Sequence, residues 1–124
     1  MDLGNFSVSL AVRDLAASRA FYEALGFEVM GGEATQGWLI LRNATATIGL
    51  FQGMFARNML TFNPGWDRNA QEVPGAEDIR SIAASLRKAG ADLSNETGLD
   101  AASGPASFIV TDPDGNPVLI DQHH

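Results

Sequence analysis

One helix-spaced stripe occurs twice in this chain, and that repetition limits the possible folds more than any other feature. Between Asp14 and Gly26, residues Leu15, Ser18, Tyr22 and Leu25 stand at spacings of three, four and three. Between Asp78 and Gly90 the same spacings carry Ile79, Ile82, Leu86 and Ala89. Each stripe predicts an amphipathic helix, opened by an acidic residue and closed by a glycine able to take the left-handed conformation. Strand-like segments follow each helix. A helix-plus-strands unit used twice in one small domain predicts two halves facing each other across a shared pocket, and function is sought there.

Read in order, the first strand is Phe6–Val12, where Val8, Leu10 and Val12 alternate with Ser7, Ser9 and Ala11. Its apolar face is expected to meet helix Leu15–Leu25, leaving the small polar face for the other side of the sheet. Phe27–Met30 is a short second strand, broken by Gly31-Gly32. Trp38–Leu41 and Thr45–Gln52 are the third and fourth strands, joined by a turn at Asn43-Ala44. In the fourth, Ile48 and Leu50 share one face, with Gly49 and Phe51 on the other. The second half repeats the plan: a strand at Asn58–Phe62, a helix over Ala76–Ala89, a strand near Asp92–Asn95, then a hairpin of Ala106–Thr111 and Pro117–Asp121. The turn Asp112-Pro-Asp-Gly-Asn116 supports that hairpin, because Pro113 presets φ and Gly115 accepts φ > 0. The repeat breaks once. Asn63–Gly75 is a long loop where the first half has only Arg13-Asp14. It carries Trp66 and is expected to fold over a pocket mouth or to plug the core edge.

The chain of 124 residues has the length of a single domain, with module one at residues 1–54 and module two at 55–124. No apolar run reaches membrane-spanning length and the first residues lack a basic leader, so no membrane partner is expected and a cytoplasmic setting is read. The absence of cysteine excludes disulfides, thiolate catalysis and thiolate metal sites. A net charge of −7 argues against nucleic acid, whose phosphates need a basic face. It either favours a cationic small molecule or serves solubility alone.

Val12-Arg-Asp-Leu-Ala-Ala-Ser-Arg-Ala-Phe-Tyr-Glu-Ala-Leu-Gly-Phe27 and Asp112-Pro-Asp-Gly-Asn116 together resemble the vicinal oxygen chelate superfamily. That group holds glyoxalases, extradiol dioxygenases, fosfomycin-modifying enzymes and bleomycin-binding proteins. The resemblance implies an α+β fold. Two βαβββ modules would form a paired, cup-shaped mixed sheet with helices on its outer face, often as a homodimer. In catalytic members His or Glu side chains on the cup-facing side of each module's first and last strands hold a divalent metal. Strand phase carries those positions onto Ser7, Gly49, Leu119, and Arg57 or Asn58. None is a usual ligand: glycine and leucine offer no donor atom, arginine stays cationic, and a neutral hydroxyl is a poor ligand. The metal site implied by the resemblance is therefore expected to be absent, and no cofactor is expected.

Replacement chemistry is sparse. His123 and His124 are the only histidines, and an adjacent extended pair points its rings to opposite sides, so one ion is not expected between them. Asp67 and Asp121 are weak candidates for a catalytic base, requiring burial to shift them. Gly31-Gly32 lacks phosphate-loop spacing, and Ser7 and Ser9 lack a histidine to activate them. For ligand binding the candidates are Ser7, Ser9, Trp38, Gly49, Phe51, Gln52, Arg57, Asn58, Trp66 and Leu119, with Met54 and Phe55 able to reach the rim. Two readings follow. One is a metal-free protein that binds or sequesters a small aromatic or cationic compound in its cup. The other is a metal-dependent or carboxylate-dependent lyase, isomerase or dioxygenase. A structural dimer with a closed cup is a third, weaker reading, and the missing ligands favour the first.

Overall fold

The computed structural model describes residues 1–124 and is an α+β fold of eight strands and two α-helices. The chain forms two compact units, Ser7–Met59 on one hand, and Met1–Phe6 with Leu60–His124 on the other. This division falls after Met59 rather than between the expected modules 1–54 and 55–124. The N-terminal residues pack instead with the second unit. The Phe6 and Phe62 rings lie 5.1 Å apart, and the Gly4 backbone runs so close that a Cβ there would sit 2.0 Å from the Asn63 carbonyl oxygen.

In the first unit β1 (Asn5–Val12) leads to α1 (Leu15–Ala24), then β2 (Glu28–Glu33), β3 (Trp38–Asn43) and β4 (Ala46–Gln52). The strands run in the order β2-β3-β4-β1, with β1 parallel to β4 and the other pairs antiparallel. In the second unit β5 (Met59–Asn63) leads to α2 (Ile79–Lys88), β6 (Ser94–Thr97), β7 (Ala106–Thr111) and β8 (Pro117–Gln122). These repeat the plan in the order β5-β8-β7-β6, with β5 parallel to β8. Helix α2 starts at Ile79 rather than Ala76, because Asp78 is extended and serves as its N-cap. The strand expected near Asp92–Asn95 begins at Ser94. Gly31-Gly32 does not break β2. The pairing shifts by one residue between Val29 and Gly31, leaving Met30 as the extra residue, and Gly32 (φ +106) runs so close to β3 that a Cβ there would lie 2.7 Å from Leu39 Cα.

Both helices start and stop by the same devices. Asp14 accepts from Ala17 N–H and Asp78 from Arg80 N–H, satisfying donors the first turn leaves open. At the far ends, Gly26 and Gly90 stand in the left-handed region. There Phe27 N–H reaches back to the Tyr22 carbonyl and Ala91 N–H to the Leu86 carbonyl, each at 3.0 Å. Each helix then packs one sheet face. Leu15, Leu39, Leu41 and Leu50 form one core, joined by Leu10, Val12, Tyr22, Phe27 and Ile48. Ile79, Ile82, Ala83, Ala106, Phe108 and Ile120 form the other. Leu25 ends the first stripe outside this core, 58% exposed at the helix terminus. No helix is long and apolar enough to cross a membrane.

Candidate functional site

Strand alternation sends the remaining side chains of the first unit to the face away from α1. Ser9 and Ile40 flank Gly49 in one row, and Ala11 and Trp38 flank Phe51 in the next. Ser7 and Ser9 are buried hydroxyl residues on β1. Gly49 leaves room on this face, and a ring takes it. The Phe51 ring folds back over the glycine, so that a Cβ at residue 49 would lie 2.4 Å from Phe51 Cε2. Trp38 stacks on Phe51 with centroids 6.3 Å apart and planes within 3°, and Phe55 meets it at 5.3 Å. All three rings are half-buried, so the cluster keeps part of its aromatic surface accessible to solvent.

The positions assigned to metal ligands do not suit a divalent cation. Gly49 has no donor, and the Phe51 ring stands where one would project. Asn58 uses its amide oxygen to accept from Ala11 N–H at 2.9 Å, and Arg57 is exposed. Leu119 pairs with Thr61 and Ile109 in the second unit and offers only an isobutyl group. Nowhere do three or more His, Asp or Glu side chains converge in a way that could hold a metal ion.

Gln52, a candidate ligand contact, has a structural partner: its Oε1 accepts from Leu15 N–H at 2.8 Å. Gln122 does the same for Ile79 N–H at 2.9 Å and also donates through Nε2 to Asp78 Oδ2 at 3.0 Å. A glutamine ending the last strand of each module thus completes the cap that an aspartate begins. The signal was present in the sequence as the common placement of both glutamines. Partial burial, the largest single influence on Asp78, would raise its carboxyl. Hydrogen bonds from Arg80 N–H, Gln122 and the Arg80 guanidinium outweigh that and hold it below its ordinary 3.8.

The two carboxylate candidates differ. Asp67 lies on the exposed loop, and its Oδ1 accepts from Asn69 N–H and Gln71 N–H, which is turn chemistry. Asp121 is half-buried opposite Ser107, and desolvation pushes its carboxyl above 3.8, partly offset by the charge of His123. His123 Nε2 stands 3.3 Å from Asp121 Oδ2. Trp66 stacks on the His123 ring at 4.5 Å and also lies nearly parallel to His124. Both histidines therefore gather on one indole, beyond the end of β8 at Gln122. The long loop borders a groove of about 690 Å³, lined by Gly65, Glu72, Glu77, Asp78 and Ser103, with buried Gln122 among its lining residues. These residues are spread over the loop, the start of α2, the turn before β7 and the end of β8, so their grouping is not visible in the amino-acid order.

The known proteins this chain resembles share its fold. It is 16% identical to a glyoxalase/bleomycin resistance protein/dioxygenase superfamily member from Vibrio splendidus 12B01, with a TM-score of 0.65 over 95% of this chain and 97% of that one. A protein described as NAD-dependent benzaldehyde dehydrogenase from Legionella pneumophila is 17% identical, with a TM-score of 0.70 over 96% and 99%. Methylmalonyl-CoA epimerase from Mycobacterium tuberculosis is 16% identical, with a TM-score of 0.64 over 97% and 88%. At such identities the likeness is one of fold. No curated protein sequence matches this chain. The family model described as Glyoxalase/Bleomycin resistance protein/Dioxygenase superfamily matches residues 6–120, nearly the whole repeat, and the chain belongs to that superfamily.

Proposed function

We propose that this protein is a metal-independent member of its superfamily that binds or sequesters a small aromatic or cationic compound, without turnover. The observation that carries this reading is the donor set. The positions that the family resemblance carries over as ligands are Ser7, Gly49, Leu119 and either the exposed Arg57 or Asn58, whose amide oxygen is already engaged. The half-exposed Trp38, Phe51 and Phe55 supply apolar contact area, and the net charge of −7 favours a positive ligand. Exposed Phe21, Leu25, Val29 and Met30 support a homodimer, and the lack of cysteine fits a cytoplasmic setting.

The test is elemental analysis of protein purified without a metal column, joined to a thermal-shift screen of aromatic amines with and without EDTA. The expected result is no stoichiometric metal and a ligand whose stabilisation ignores EDTA. One tightly held transition ion per chain, or turnover abolished by chelation, overturns the reading. A second reading, carboxylate-dependent catalysis, has one observation in its favour: the raised Asp121 carboxyl. It requires turnover that disappears in Asp121→Asn.

A further inference from the structure

We infer that Gly49 and Phe51 form an interlocked pair that closes the first module to a metal ligand and makes its sheet face a seat for a planar, ring-bearing compound, neutral or cationic. This deepens the metal-independent reading above and rests on it. The interlock is a matter of volume. A Cβ at residue 49 would lie 2.4 Å from Phe51 Cε2, 3.0 Å from Phe51 Cζ and 3.3 Å from Ile40 Cδ1. Carbon atoms in van der Waals contact stand about 3.5–4.0 Å apart, so ring and side chain exclude each other. While Phe51 lies over Gly49, no imidazole or carboxylate can project from that position.

The same arrangement builds the seat. Phe51 is held on β4 between Ala11 on one neighbouring strand and Trp38 on the other. Trp38 stacks parallel to the ring within 3°, with centroids 6.3 Å apart, and both rings are only half-buried. Phe55, tilted by 47° at 5.3 Å, turns a third ring toward it. Such a cluster favours flat π systems through offset stacking, and its ring faces attract positive charge. Flexible aliphatic ligands gain only their area, and anions meet an acidic protein.

The experiment uses the full chain and acridine orange, a planar cationic dye, with choline as a non-planar cation and benzoate as an aromatic anion. Dye binding is followed by fluorescence anisotropy, and stability by thermal melting. The wild type is expected to bind the dye in the presence of EDTA and to bind choline and benzoate at least tenfold more weakly. Phe51→Leu and Trp38→Leu should each weaken dye binding about tenfold. Gly49→Ala should lower Tm by about 5 °C or more and weaken the dye as well. In Gly49→Ala/Phe51→Ala, the added penalty of the alanine at 49 should vanish while dye binding stays lost. An unchanged Tm and affinity in Gly49→Ala, additive effects in the double variant, no dye binding by wild type, or unaltered binding in Phe51→Leu overturns the inference. The melting cycle makes no reference to metal. A stoichiometric ion in the wild type therefore defeats the metal-independent reading alone, and an absent coupling defeats the interlock alone.

Discussion

Replacing Gln122 with alanine tests whether the paired glutamines act as structural caps. Gln122 is 4% exposed, and its Oε1 is the acceptor for Ile79 N–H at the buried start of α2. Its Nε2 donates to Asp78 Oδ2 at 3.0 Å and to the His124 carbonyl at 3.0 Å. Truncation leaves a buried donor without a partner, which costs about 1–3 kcal/mol, and removes a charge-assisted bond worth about 1 kcal/mol more. The expected loss is about 2–4 kcal/mol, or about 8–16 °C in Tm for a domain of this size. Gln52 plays the same part for Leu15 N–H at 2.8 Å, but it is exposed, so water can replace it. Gln52→Ala should therefore cost only about 0.5–1.5 kcal/mol. Urea denaturation of both variants, followed by circular dichroism, measures the difference. If Gln122→Ala loses no more stability than Gln52→Ala, burial is not what separates the two caps and the reasoning fails.

Two further outcomes follow from the structure. Burial raises the Asp121 carboxyl above its ordinary 3.8, with His123 offsetting part of the shift, so folding favours the neutral acid. Its contribution to stability is fully present below 3.8 and is lost as pH rises through the higher folded value. Asp121→Asn, which stays neutral, should thus gain Tm relative to wild type as pH climbs across that window, and a constant difference from about pH 3 to pH 8 rejects the assignment. Gly4→Ala would force φ +77 on alanine and drive its Cβ to 2.0 Å from the Asn63 carbonyl oxygen. A loss of about 3 kcal/mol is expected, and a loss below about 1 kcal/mol in chemical denaturation shows that the Gly4–Asn63 approach is not tight.

Local rules account for what could be read directly from the amino-acid order. The Asp14…Gly26 and Asp78…Gly90 frames became capped helices because N-cap carboxylates and left-handed glycines act within a few residues. Strand alternation was equally legible: Leu50 entered the helix-side core and Gly49 the opposite face, as side-chain period two requires. Resemblance through the first helix and the Asp112–Asn116 turn led to the superfamily that the family model matches over residues 6–120.

Where alternation says only which face a residue occupies, packing decides what it does there. Gly49 and Phe51 share a face in the sequence pattern, but only the folded strand shows the ring lying over the glycine. Gln52, grouped with ligand contacts by its place near Phe51, turned to a helix N–H that is distant along the chain. The continuation of β2 through Gly31-Gly32 depends on pairing with β3 beside it, and His123 and His124 converge on Trp66 because the loop brings that indole to them. Amino-acid order therefore determined the repeat, its caps, the two faces of each sheet and the family. Tertiary structure decided which polar groups were engaged and which volumes were filled, because both depend on neighbours that the chain brings together only by folding.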